Sequence, residues 1–255
     1  MTLDRWVPFR NESTSVRCRV FSFPHAGGCA AFYRQLRRCM PPEIDFCPLE
    51  LPGRAARLDE PPLTSMDALM EELSVLRPLM AVPFGFFGHS VGAHAAYEAA
   101  AVLRSADGRS AVQLFVSGRG RPASLAPPPR TLSDRELLAI LDRFGGTPAE
   151  VRQRPELIAA FLPALRADLA LVDAYTIGTA ESLSCPITAF GGADDIQHSS
   201  ALERWSGLTR DRFRVRVLPG GHFYFSHAPG ALADEIVQDL SDAAGARAAD
   251  TRSPA

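Results

Sequence analysis

The stretch FGFFGHSVGAHAAYEAAAVL, residues 84–103, decides how this chain is read. Phe84–Gly88 is a short, aromatic-rich apolar run of the kind that forms a buried strand. Gly92–Ser105 is rich in alanine, and its length and composition read as a helix. Between them stands Gly88-His89-Ser90-Val91-Gly92, a G-x-S-x-G placed where a strand hands over to a helix. That context is the one a nucleophile elbow requires. Ser90 must sit in a sharp, strained turn, and glycines two places to either side let strand and helix approach closely. The helix that follows aims its first amides at an oxyanion forming beside Ser90. His89 lies inside the elbow, with its side chain directed away from the Ser90 hydroxyl.

Outward from this segment, short apolar runs alternate with helical patterns. Strands are expected at Arg17–Phe23, Phe46–Leu51, Phe84–Gly88, Val112–Ser117, Ile187–Phe190 and Phe213–Leu218. Helices are expected at Met66–Met80, Gly92–Ser105, Ala201–Gly207 and Leu232–Ala243. Such alternation predicts an α/β fold, a mostly parallel central sheet flanked by helices, as in the α/β-hydrolase fold. One interval departs from it. From about 131 to 176 the pattern is helical, with Leu137, Leu138, Leu141 and Phe144, then Ile158, Phe161, Leu162, Leu165 and Leu169. This insertion is expected to form a helical lid over the active edge of the sheet, entered through the stiff Pro127-Pro128-Pro129. Asp168 and Asp173 read as surface acids of that lid. The domain is expected to span residues 1–245, with 246–255 a small, polar, disordered tail.

A serine needs a base, and six histidines are available. His222 follows the last expected strand through Pro219-Gly220-Gly221, the late loop where this fold keeps its base. His94 falls in a helix, and His198 and His227 read as surface residues. The acid must lie between Ser90 and His222. Ile187–Phe190 followed by Gly191-Gly192-Ala193-Asp194-Asp195 supplies it. Its carboxylate would hold the imidazole in the productive tautomer. Neighbouring side chains in a turn diverge, so Asp194 and Asp195 stay alternatives here, with Asp195 preferred. The second oxyanion donor is expected from the glycine-rich turn Phe23-Pro24-His25-Ala26-Gly27-Gly28, through the Ala26 amide, beside the Val91 amide just past the nucleophile.

Composition narrows the partners. The 255 residues carry a formal net charge of −2 and no block of basic residues, which argues against nucleic acid. The five cysteines, at 18, 29, 39, 47 and 185, have no metal-ligand spacing and read as free thiols of a reducing compartment. No metal or cofactor is expected. There is no signal-peptide layout and no apolar run long enough to span a membrane, so a cytoplasmic protein is the expectation.

Together these motifs resemble the type II thioesterases, the stand-alone editing partners of modular polyketide synthases and nonribosomal peptide synthetases. The resemblance rests on FPHAGG at 23–28, GHSVGA at 88–93, GGADD at 191–195 and PGGHFYF at 219–225. LPGR at 51–54, SGR at 117–119 and LPALRADLALVDAY at 162–175 extend it, so it covers about residues 16 to 240. It implies a Ser90–His222–Asp195 triad, since the family places its acid third after a glycine, here Gly192. It also implies oxyanion donors at Ala26 and Val91. The implied substrates are acyl groups on the phosphopantetheine arm of acyl or peptidyl carrier proteins. Such partners are acidic, and Arg34, Arg37 and Arg38, or Arg119 and Arg121, are candidate docking residues. Two positions depart from the family pattern: Ile196 stands where a proline often follows the acid, and Gly120-Arg121-Pro122 replaces an R-x-P-like segment. A releasing or cyclising thioesterase, or a general carboxylesterase, would use the same residues.

Overall fold

A computed structural model describes residues 2–120, 132–145, 153–173, 182–196 and 199–250. Six strands form one sheet: β1 (Cys18–Phe23), β2 (Ile44–Pro48), β3 (Phe84–His89), β4 (Leu114–Ser117), β5 (Ile187–Gly192) and β6 (Phe213–Leu218). Their order is β2-β1-β3-β4-β5-β6, and every pairing is parallel. The longer α-helices are α1 (Met66–Glu72), α2 (Val91–Asp107), α3 (Asp134–Phe144), α4 (Pro155–Asp173) and α5 (Pro229–Asp250).

Strand β3 shows how the sequence dictates the layers. Phe84 and Phe86 face one side with Phe21 and Phe23, in a core that also takes in Ala93, Ala96 and Tyr97 of α2. Phe87 faces the other, with Val20, Phe46 and Phe115, beneath Leu232, Ile236 and Leu240 of α5. Successive strand residues point to opposite faces, so an unbroken apolar run serves a sheet covered on both sides.

Register lines up the strand ends. Phe23 pairs with Gly88, His89 with Ser117, Ser117 with Phe190, and Gly192 with Leu218. The loops after β1, β3, β4, β5 and β6 therefore leave the sheet along one edge. After β1 the chain builds outward to β2, then returns to place β3 on the other side of β1. The β1 and β3 loops flank this reversal, the place where open α/β sheets bind ligands.

Some elements differ from expectation. The strand expected at Phe46–Leu51 begins at Ile44 and ends at Pro48; beyond it the Glu50 amide donates to the Trp6 carbonyl, drawing the chain off the sheet. The helix expected at Met66–Met80 stops at Glu72 and continues as a 3₁₀ segment, Leu73–Ala81, that contains Pro78. Proline has no amide to donate to an i−4 carbonyl, so the regular ladder does not survive there. Ala201–Gly207 is a short helix, Ser199–Leu202, followed by a 3₁₀ turn. Helix α5 runs on to Asp250, into the segment expected to be a disordered tail; 251–255 lie outside the described residues.

Above the strand-end edge lie α3 and α4. Helix α3 begins with a reciprocal capping box in which Ser133 and Glu136 satisfy each other's backbone amides. Leu137 of α3 and Leu162, Leu165 and Val172 of α4 form a third apolar cluster with Ala26 and Val91. Each fully buried leucine contributes about 2 kcal/mol to holding the helices there. The proline run at 127–129 and, within the expected lid, residues 146–152 and 174–176 fall outside the described residues.

Candidate active site

Ser90 occupies the turn between β3 and α2 with φ 55° and ψ −119°. A non-glycine residue there is strained, and it persists only where its surroundings hold it. They do. The Ser90 amide donates to the Ser117 carbonyl at 2.8 Å, and the Ala93 amide to the Ser90 carbonyl at 3.0 Å. A Cβ on Gly88 would collide with the Gly92 backbone, and one on Gly92 with the carbonyls of Phe23 and Pro24. The two glycines thus let β1, β3 and α2 meet behind the serine.

His222 and Asp195 are joined directly. The His222 Nδ1–Asp195 Oδ2 distance is 2.8 Å, and both side chains are buried. Their loops are stitched by backbone bonds: the Ala193 amide to the Leu218 carbonyl at 2.8 Å, and the Asp194 amide to the Gly220 carbonyl at 2.9 Å. Asp194 itself is exposed, so of the two adjacent acids Asp195 is the one that meets the imidazole. With Nδ1 engaged by a carboxylate, Nε2 is the nitrogen left to take a proton.

Two further histidines crowd the same place, and neither carries charge at neutral pH. His25 is pushed down to about 3, by burial first and then by the neighbouring His222 and Arg54. Burial also drives His89 well below the usual histidine range, with His222 and His25 adding to the effect. His89 Nδ1 lies 2.9 Å from Ser117 Oγ, which is 2.8 Å from the Tyr224 hydroxyl. The rings of His89 and His222 lie 4.7 Å apart, and that of Phe144, at the end of α3, lies 4.7 Å from the His222 ring.

Ala26 and Val91 are both buried beneath the α3–α4 layer. Val91 is the first residue of α2, so its amide is among those a helix leaves without an internal acceptor.

Several expectations need correcting. Asp168 is not a surface acid: it is 2% exposed and forms a two-pronged ion pair with Arg54, at 2.6 and 2.7 Å. Arg119 is not an exposed docking residue. It is part-buried, desolvation lowers its guanidinium to about 10, and Trp205 Nε1 donates to its carbonyl. Arg121 and His198 fall outside the described residues. Arg34 and Arg38 are exposed, with Arg34 over the Phe9 ring, while Arg37 approaches Asp45 at 3.8 Å. His94 is fully buried against Trp205, and His227 is exposed. Gly118, Phe144 and Asp168 were not anticipated at the site. Only Asp168 carried a readable signal, since it falls three residues after Leu165 and four before Val172 on the buried stripe of α4.

Among the described residues, no helix is long and apolar enough to cross a membrane. No cluster of three metal-ligating side chains occurs among them either.

The comparisons with known proteins agree on one family. The thioesterase domain family matches residues 18–242. The gramicidin S biosynthesis protein GrsT of Aneurinibacillus migulanus is 36% identical over 243 residues, covering 93% of this chain and 94% of its own. Among solved structures, the type II thioesterase BorB from the borrelidin biosynthetic cluster superposes with a TM-score of 0.83 at 34% identity, covering 94% of this chain and 99% of that one. RedJ, a thioesterase from the prodiginine pathway of Streptomyces coelicolor, gives 0.80 at 30% identity, with 94% and 100% covered. From its first strand to its last helix, this chain belongs to the thioesterase domain family.

Proposed function

We propose that the protein is a type II thioesterase that removes stalled or aberrant acyl groups from the phosphopantetheine arm of carrier proteins in polyketide or nonribosomal peptide synthesis. The observation that carries this reading is the buried His222–Asp195 pair beside the strained Ser90 turn, in a chain that matches GrsT and BorB over nearly its whole length.

In this mechanism Ser90 Oγ attacks the thioester carbonyl while its proton passes to His222 Nε2. The carbonyl oxygen becomes an oxyanion and accepts hydrogen bonds from the Ala26 and Val91 amides. Collapse breaks the carbon–sulfur bond, and the phosphopantetheine sulfur leaves with the proton returned by His222. Water then gives a proton to His222 and attacks the acyl-enzyme. The bond to Ser90 Oγ breaks, the serine recovers its proton, and the acid departs. Asp195 fixes the imidazole and stabilises its cationic form in both halves. No cofactor is required. The apolar layer of Leu137, Phe161, Leu162 and Leu165 is a lid that shields the acyl chain from water. The five free cysteines suit a reducing cytoplasm. Among the described candidates Arg34 and Arg38 are exposed, and they meet an acidic carrier protein in this reading.

The test follows acyl release by mass spectrometry from an acyl-phosphopantetheinyl carrier protein, with Ser90→Ala alongside. Release by the wild type alone, faster than from a matched oxygen ester, supports the reading. Preference for the oxygen ester would move the assignment to a carboxylesterase. No release above the variant by a folded protein would overturn it.

A further inference from the structure

The Arg54–Asp168 pair does more than join two parts of the chain. Asp168 lies in α4 and Arg54 in the LPGR turn after β2, 114 residues apart in sequence. Both are almost fully buried. Asp168 Oδ2 accepts from Arg54 Nη1 at 2.6 Å and also from the Gly27 amide at 2.7 Å. Arg54 Nη1 donates in addition to the Gly28 carbonyl at 3.1 Å. One ion pair therefore grips the Ala26-Gly27-Gly28 turn from both sides, by an amide and by a carbonyl. Phe161, two turns earlier on the same face of α4, closes over the same glycine: a Cβ on Gly27 would overlap its ring.

We propose that Asp168, held by Arg54, is a positioning residue for the oxyanion hole. The inference rests on the reading of Ala26 as an oxyanion donor. The amides of Ala26 and Gly27 are successive in one tight turn, so the direction of one constrains the other. Fixing the Gly27 amide on Asp168 leaves the Ala26 amide a narrow range of directions. A buried ion pair is a costly way to tie α4 down, because apolar residues of similar size do that at least as well. A carboxylate is the better choice where a backbone amide must also be satisfied and held, since charge-assisted bonds are shorter and stronger. The same contact makes a formed hole depend on α4 being seated.

Two double variants separate the roles. Arg54→Met/Asp168→Leu removes the charges and also the acceptor for Gly27. Arg54→Met/Asp168→Asn removes the charges and keeps an acceptor of the same shape. Each is assayed on a p-nitrophenyl ester for kcat and KM, by thermal melting, and for affinity to a trifluoromethyl ketone. The hemiketal oxygen of that ketone, formed on Ser90, occupies the oxyanion hole. The Leu variant should lose about 100-fold in kcat, the scale of an ångström's misplacement, with KM changed by less than about threefold. Its ketone affinity should fall with kcat. The Asn variant should recover most of both losses at a similar melting temperature. Equal kcat in the two variants, or a loss that follows KM and melting temperature instead, would overturn the proposal. If the Leu variant does not fold, the Arg54→Met/Asp168→Asn variant alone decides: a 100-fold loss of ketone affinity at an unchanged melting temperature, despite its retained acceptor, would refute it. Because the ester and ketone assays involve no carrier protein, failure of the carrier-thioester reading leaves this result interpretable.

Discussion

The imidazole rings of His89 and His222 lie 4.7 Å apart, centroid to centroid, over Gly118 in the turn that follows β4. Two histidines so close serve catalysis only if one stays neutral. Burial does this for His89, and its Nδ1 is taken up by Ser117. Gly118 is what lets both rings fit. It has φ +63°, and a Cβ there would come within 2.5 Å of His89 Cε1 and 3.0 Å of His222 Cε1.

Gly118→Ala should therefore strain the turn and push the rings at once. We expect a loss of about 1–2 kcal/mol in stability from the left-handed backbone alone. The kcat should fall about 100-fold as His222 is displaced from Ser90. Gly207→Ala is the matched control, because its Cβ would meet nothing within 4 Å. Chemical denaturation and ester turnover on both variants check this, and similar kcat values for the two would refute it.

Adjacent acids give an equally sharp contrast. Asp195→Asn keeps the shape of the side chain but offers an amide to His222, favouring the wrong tautomer. Its kcat should drop about 10⁴-fold. Asp194→Asn alters an exposed side chain and leaves the Asp194 amide on the Gly220 carbonyl, so kcat should stay within about threefold. Steady-state kinetics on the two variants decides between them, and a larger loss at Asp194 would reverse the assignment.

The elbow was legible because all of its requirements are local: a strand, five residues and a helix. Strand β6 was legible to the residue for a related reason, being a short run ended by Pro219-Gly220. The end of β2 was not, because the Trp6 carbonyl that draws Glu50 away lies 44 residues earlier in the chain. Asp168 was misread because an acid in a helical pattern is taken as solvated until a cation is found for it. Its cation, Arg54, sits in a turn that no periodicity links to α4. Arg119 was misread in the same sense, since a scattered arginine gives no local sign that the fold desolvates its guanidinium.

Acid should weaken this protein through its buried histidines. His94 is fully buried against Trp205, and burial drives its pKa well below the ordinary value, with the charge of Arg119 acting in the same direction. His25 and His89 are neutral for the same first reason. Each stays unprotonated in the fold but binds a proton in the unfolded chain below about pH 6.5. The unfolded state then holds more protons, so stability falls as pH falls. Glu50 works the other way between its ordinary value and about 7, because burial keeps it protonated in the fold. Comparing a single-site variant with the wild type cancels that opposing contribution. His94→Gln should flatten the slope of unfolding free energy against pH, between pH 4 and 5.5, by about 1.4 kcal/mol per pH unit, the value for one proton. Urea denaturation across that range reads the slope whatever the variant's overall stability, and an unchanged slope would mean that His94 takes up its proton without unfolding.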